Sequence, residues 1–148
     1  MSKAVEIIAR GVCLKGGKVL LCHTKGAANT FLPGGHIEFG ESARESLRRE
    51  IAEELGVPCR VGRFLGVVEH TFRQKGRRVC EVNLVFAFES AKLSQRCSPP
   101  SREGHIEFLW TGEGELATSA LEPAPLRRLL PEWWRARGDS PGFASTYR

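Results

Sequence analysis

Apolar and polar positions alternate in short blocks along this chain, and the period of the alternation changes once near the start. Val5 to Leu14 is apolar and partly β-branched, Gly16-Gly17 marks a turn, and Lys18 to His23 is a second apolar run, so the pattern predicts a hairpin. Lys25 to Leu32 reads as loop, and Pro33-Gly34-Gly35 interrupts any regular element. From Ser42 the period becomes helical. Ala43, Leu47, Ile51 and Leu55 form one stripe, Ser42 and Glu45 make a capping signature, and Gly56 before Val57-Pro58 ends the run.

Beyond the helix, Val61 to Thr71 and Arg78 to Glu89 carry sheet formers on either side of a turn signal at Gln74-Lys75-Gly76, which predicts an antiparallel pair. Ser90 to Gly104 is a polar loop and His105 to Trp110 a further strand. Glu113 to Thr118 and Pro125 to Arg137 read as helices, the second facing inward with Leu126, Leu129, Leu130 and Trp133 or Trp134. The last ten residues are expected to fray. Strands and helices in this order predict a mixed sheet with helices packed on it, and 148 residues without repeats or a shift of composition predict one domain spanning 1–148.

No apolar run approaches the roughly 20 residues of a membrane helix, and the first residues lack a signal-peptide core, so a cytoplasmic protein is the expectation. Five cysteines, at 13, 22, 59, 80 and 97, form no CxxC pair and are read as reduced thiols. The four histidines share no metal spacing; His36 is read as structural before substrate-facing, and Phe31 and Phe39 as core.

Charge sharpens the picture. The chain carries a net +5, which favours anionic partners in general, yet residues 35 to 57 hold Glu38, Glu41, Glu45, Glu50, Glu53 and Glu54 against Arg44, Arg48 and Arg49. At about 100° per residue, Glu50, Glu53 and Glu54 fall on one stripe of the helix. Like charges at that spacing repel, so the cluster costs stability unless cations neutralise it. Hard oxygen ligands of this kind suit Mg2+ or Mn2+, which also bind substrate phosphates. The bland alternative is a solvated acidic helix face. Pro33-Gly34-Gly35 favours the metal, because backbone without Cβ lets a carbonyl and an anionic group approach closely. Arg49 and Glu41 are placed to brace that loop against the helix.

These residues resemble the signature of the Nudix hydrolases: Gly, five residues, Glu, seven residues, then Arg-Glu-U-x-Glu-Glu-x-Gly-U, with U a bulky aliphatic. Gly35, Glu41 and Arg49-Glu50-Ile51-Ala52-Glu53-Glu54-Leu55-Gly56-Val57 match at every specified position. The resemblance covers about residues 3–137 and implies an α/β/α sandwich with a central mixed sheet. It implies hydrolysis of a nucleoside diphosphate linked to another moiety, with Mg2+ or Mn2+ as cofactor. By family pattern Glu53 and Glu54 would coordinate the cations, the Gly34 carbonyl would join them, and Glu50 would be a ligand or orient the attacking water. Glu41, Arg49, Gly35 and Gly56 would be structural. A late-loop carboxylate often completes such sites; Glu103 is the candidate, with Glu81 and Glu107 competing.

The expected substrate is a small nucleotide: a nucleoside triphosphate, a nucleotide sugar, ADP-ribose or a dinucleoside polyphosphate. The basic segment 60–78 favours RNA 5' ends as an alternative, but only Phe64 and Phe72 are there to stack on bases. A noncatalytic nucleotide sensor of the same fold should have lost box carboxylates, and this chain keeps them all. The expected assembly is a monomer or homodimer. Specificity is expected from loops 25–32, 73–78 and 90–104, whose composition names no base or sugar.

Overall fold

The apolar runs sort into two sheets. The computed structural model describes residues 3–136 and 140–147. Along the chain come β1 (Glu6–Val12), β2 (Leu14–Lys15), β3 (Lys18–Thr24), β4 (Gly34–His36), α1 (Ala43–Leu55), β5 (Arg60–Gln74), β6 (Arg77–Glu89), β7 (Ile106–Gly112), a 3-10 helix (Glu113–Thr118), α2 (Leu126–Arg135) and β8 (Gly142–Ser145). A five-stranded mixed sheet runs in the order β4-β1-β6-β5-β8, and a three-stranded antiparallel sheet in the order β2-β3-β7. This is the mixed sheet with packed helices that the alternation predicts.

The N-terminal hairpin is smaller than its pattern suggests. Only Leu14 and Lys15 of the first run pair with β3, whereas β1 is antiparallel to β4 and parallel to β6. The chain changes sheet at Cys13, which is fully buried and accepts a hydrogen bond from the Leu20 N–H at 3.1 Å. Period-two alternation specifies which face is apolar but not which strand lies alongside. The β5–β6 pair forms as expected, closed by a two-residue turn with Lys75 at φ 51° and Gly76 at φ 77°. Positive φ at both positions matches the type I′ geometry that follows strand twist.

Two apolar layers flank the large sheet. Leu47, Ile51 and Leu55 of α1 pack with Ala9, Phe86 and Phe88 and with Leu20, Cys22 and Phe108 of the small sheet. Leu126, Leu129, Leu130 and Trp133 of α2 pack on the other side with Val12, Val68, Val85 and Leu21. Complete burial of a side chain such as Leu47 or Ile51 is worth about 1.5–3 kcal/mol each. Of the two tryptophans on α2, Trp133 is the buried one.

The C-terminus departs from expectation. Gly142 to Ser145 add a parallel strand to β5, in register with Gly66 to Glu69. Arg137, Asp139 and Arg148, within the expected helix end and tail, lie outside the described residues. Phe39, expected in the core, is fully exposed, while Phe31 packs against the α1 layer. All five cysteines are free thiols; Cys13 and Cys22 are buried and burial pushes both up, Cys13 to about 11.

Candidate active site

The helix that carries the carboxylates is well terminated. Ser42 accepts from the Glu45 N–H at 3.1 Å, the Glu45 carboxylate accepts from the Ser42 N–H at 3.3 Å, and Gly56 closes α1 in a left-handed conformation at φ 68°. The caps fix where α1 begins and ends, and the packing of Leu47, Ile51 and Leu55 sets its rotation, which brings Glu50 against Gly35 of β4.

Gly34 and Gly35 are required there for different reasons. Gly34 has φ 138°, and a Cβ would lie 2.0 Å from the Ala9 carbonyl oxygen. A Cβ on Gly35 would lie 2.5 Å from the Glu50 carboxyl group. The absence of side chains therefore admits the β1 backbone on one side and a carboxylate on the other.

Arg49 ties the assembly together. Its Nε donates to Glu41 Oε2 at 2.7 Å, and its Nη2 to Glu41 Oε1 at 2.9 Å and to the His36 carbonyl at 3.1 Å. Its Nη1 donates to Glu50 Oε1 at 3.0 Å and to Glu53 Oε2 at 3.3 Å. This is the brace expected of Glu41 and Arg49. The guanidinium holds the Glu41 carboxyl down at about 2, well below the usual carboxylate range, and the carboxylates raise Arg49 in return.

The three helix carboxylates do not behave alike. Glu53 is half exposed, Glu50 is largely covered, and Glu54 is buried at 7% exposure. Among the described residues they do not gather into a three-carboxylate cluster; Arg49 binds Glu50 and Glu53, whereas Glu54 has no contact with it. Glu54 Oε2 is the one buried side-chain oxygen without a hydrogen bond among the described residues. Burial first, then the nearby charge of Glu50, pushes the Glu54 carboxyl up to about 8; Arg10 and a Gly34 backbone hydrogen bond oppose this and Glu103 adds to it.

An unpaired buried carboxylate oxygen is costly and calls for a partner. The carboxylates of Glu50 and Glu103 act on it, and the Gly34 backbone N–H donates to its carboxyl group, so the side chains around it offer hard oxygens. That donor set fits a hard divalent cation such as Mg2+ or Mn2+.

The late loop reaches the site through α1's last turn. The Arg102 N–H donates to the Glu54 carbonyl at 2.7 Å, and the Arg102 guanidinium lies where a Cβ on Gly56 would stand, 2.0 Å from Nε. Arg102 thus puts a cation at a helix end whose last turn has no basic residue. Glu103 follows it and acts on Glu54 electrostatically. Of its competitors, Glu107 faces His23 at 3.9 Å, and Glu81 accepts from Asn83 Nδ2 at 3.4 Å. His36 pairs with Glu6 at 3.1 Å.

Sequence reasoning missed Arg10 and Asn83. Arg10 Nη1 donates to the carbonyls of Leu32 at 3.0 Å and Gly34 at 3.4 Å, its Nε faces Asn83 Oδ1 at 3.5 Å, and its guanidinium lies 5.6 Å from the Phe31 ring centre. No motif contains Arg10. The only signal is a lone cation in an apolar strand, which had to be satisfied somewhere.

Comparison with known proteins agrees with this architecture. The sequence model of the NUDIX domain matches residues 5–133. A Mycobacterium tuberculosis protein named MutT4 is 48% identical over 48 residues, 32% of this chain and 19% of its own length. An ADP-ribose pyrophosphatase of Methanocaldococcus jannaschii is 36% identical over 84 residues, 53% of this chain and 47% of its own. The matched stretches thus span less than half the length of these relatives. A NUDIX hydrolase structure from Nitrosomonas europaea superposes with a TM-score of 0.73 at 18% identity, covering 100% of this chain and 82% of the other. With the family pattern matched over most of its length and the fold shared, the chain belongs to the Nudix family.

Proposed function

We propose that this chain hydrolyses the pyrophosphate bond of a nucleoside diphosphate linked to another moiety, with Mg2+ or Mn2+ held by Glu54, Glu53, Glu50, the Gly34 carbonyl and Glu103. The observation that carries the reading is buried Glu54, whose Oε2 has no hydrogen-bond partner among the described residues and whose carboxyl group feels the charges of Glu50 and Glu103 beside the Gly34 backbone. Retention of every box carboxylate favours a hydrolase over a nucleotide sensor. Similarity to an ADP-ribose pyrophosphatase over half the chain supports a nucleoside diphosphate substrate.

Bound divalent cations supply charge neutralisation on the phosphoryl oxygens and lower the pKa of a coordinated water. The protein's part is placement. Arg49 holds Glu50 and Glu53 from one side and anchors the loop through Glu41 and the His36 carbonyl, so the acidic group keeps its geometry without a substrate. Gly35 leaves room for Glu50 to approach the loop. Glu50, where it is not a ligand, or a carboxylate outside the box takes the proton from the attacking water as the water oxygen bonds to phosphorus, and the bridging oxygen leaves with the other phosphoryl group.

The test is product release from nucleoside triphosphates, nucleotide sugars, ADP-ribose, dinucleoside polyphosphates and 5'-triphosphorylated RNA, with Mg2+, with Mn2+ and with chelator. Chelator-sensitive turnover of one small-nucleotide class is the expected result. Binding of nucleotides with no turnover of any class would assign the sensor role instead.

A further inference from the structure

Two guanidinium groups act on the carboxylate site, and they are committed differently. Every donor nitrogen of Arg49 is engaged: Nε with Glu41, Nη1 with Glu50 and Glu53, Nη2 with Glu41 and the His36 carbonyl. Arg10 is fastened by two of its three nitrogens, Nε toward Asn83 and Nη1 on the Leu32 and Gly34 carbonyls. Among the described residues its Nη2 carries no hydrogen bond. The side chain is half-buried, lies against the Phe31 ring, and its charge reaches Glu54.

The support beneath Arg10 is fixed. Asn83 is buried at 1% exposure, and its Nδ2 donates to the Val68 carbonyl at 3.2 Å, which orients Oδ1 toward Arg10. The strand register supports the same placement: Arg10 lies opposite Gly34 on one side and Val85 on the other, and Ile8 lies between His36 and Asn83. A half-buried cation so held keeps its conformation without a ligand and loses little entropy when one arrives.

We infer that Arg10 receives the diphosphate of the substrate, its uncommitted Nη2 donating to a phosphoryl oxygen while Asn83 holds Nε and the loop carbonyls hold Nη1. Guanidinium geometry suits phosphate oxygens, and the placement beside Gly34 and Glu54 puts the charge where the reacting diphosphate must lie. The assignment rests on the hydrolase reading for its substrate but makes its own claim, that anion affinity at this site depends on Arg10.

The experiment measures inorganic pyrophosphate binding by calorimetry in saturating Mg2+, and Mn2+ binding alone by electron paramagnetic resonance, for wild type, Arg10→Gln and Arg10→Lys. Loss of one charge-assisted hydrogen bond predicts pyrophosphate affinity lowered about tenfold or more in Arg10→Gln. Arg10→Lys falls between, because an ammonium cannot reach the carbonyls and a phosphate as a fork does. Mn2+ affinity is expected to be equal or tighter, since a neighbouring cation has been removed.

Unchanged pyrophosphate affinity in a folded variant overturns the assignment, as does absence of pyrophosphate binding in wild type. Parallel loss of Mn2+ and pyrophosphate affinity in both variants also overturns it, because Arg10 would then only position the Gly34 carbonyl. If Arg10→Gln does not fold, Arg10→Lys decides alone by the same readouts. Pyrophosphate binding that depends on Arg10, without turnover of any substrate class, would sink the hydrolase reading and leave the Arg10 assignment standing.

Discussion

The Glu50 carboxyl group occupies the space that a side chain on Gly35 would need, 2.5 Å from the position of its Cβ. Gly35 lies on β4 and Glu50 on α1, so the contact sets how closely helix and loop approach at the proposed reaction centre. Gly35→Ala is expected to displace Glu50 and lower kcat roughly a hundredfold, the scale of a misplacement of about 1 Å. A melting curve and steady-state kinetics check this; near wild-type kcat in a folded variant would show that Glu50 has no positional role.

Glu53→Gln and Glu54→Gln remove one charge each from the proposed cation site. Both are expected to abolish turnover while leaving the fold intact, and to weaken Mn2+ binding measured by titration. Wild-type turnover in folded, metal-saturated Glu53→Gln would end the assignment of that residue as a ligand.

The pH dependence of the metal-free protein follows from Glu54. Its folded pKa of about 8 lies above the ordinary carboxylate value of 4.5, so the native state binds the proton more tightly than the unfolded chain does. Stability from this group is fully present below about pH 4.5 and is lost as pH rises toward about 8. In chelator, the melting temperature is expected to fall across this window through the Glu54 contribution, and Glu54→Gln to flatten that part of the slope. Saturating Mg2+ is expected to do the same, with proton release on binding. A slope equal in wild type and variant would contradict the assignment.

Glu41 carries the opposite sign. Arg49 holds its folded pKa down at about 2, so its contribution is present above about pH 4.5 and lost as pH falls. Glu41→Gln leaves the Arg49 fork with one charged partner fewer. Activity is expected to fall about 10- to 100-fold, the usual range for groups that orient a metal site from behind. Mn2+ affinity and kcat measured together test this, and no change in either would make the brace dispensable.

Truncation before Ser140 removes β8 and leaves the outer edge of β5 unpaired along Gly66 to Glu69, its other edge still on β6. An exposed edge of this kind invites pairing between molecules. The shortened chain is expected to melt earlier and to aggregate on heating, with Mn2+ affinity retained because no proposed ligand lies beyond Glu103. Light scattering during thermal unfolding is the check.

The helix and its box were the most legible part of the chain, for a local reason. Ser42, Glu45 and Gly56 are caps written in adjacent residues, and the stripe from Ala43 to Leu55 has one period. Pairing is not local. The first apolar run gave no sign that Glu6 to Val12 leave the hairpin for β4 and β6, because either partner accepts the same apolar face. Gly-Phe-Ala-Ser at 142–145 is too short to alternate visibly, and only β5 gives it a register. Arg10 and Asn83 lie 73 residues apart, and the contact that unites them exists only once β1 and β6 are parallel. The carboxylate stripe was legible as chemistry but not as geometry, since Arg49's hold on Glu50 and Glu53 and the burial of Glu54 depend on side-chain direction.

The latch between Arg102 and Gly56 has a consequence for redesign of this scaffold. A segment that holds its guanidinium on the final glycine of the box and its amide on the Glu54 carbonyl is spliced into the helix that bears the reactive carboxylates. A chimera that imports a foreign 90–104 segment without an arginine in register at 102 would lose the helix's terminal cation together with the old loop. Recombination breakpoints in such libraries belong inside β6 and β7, where strand pairing preserves register, with residues 56 and 102 inherited as a pair.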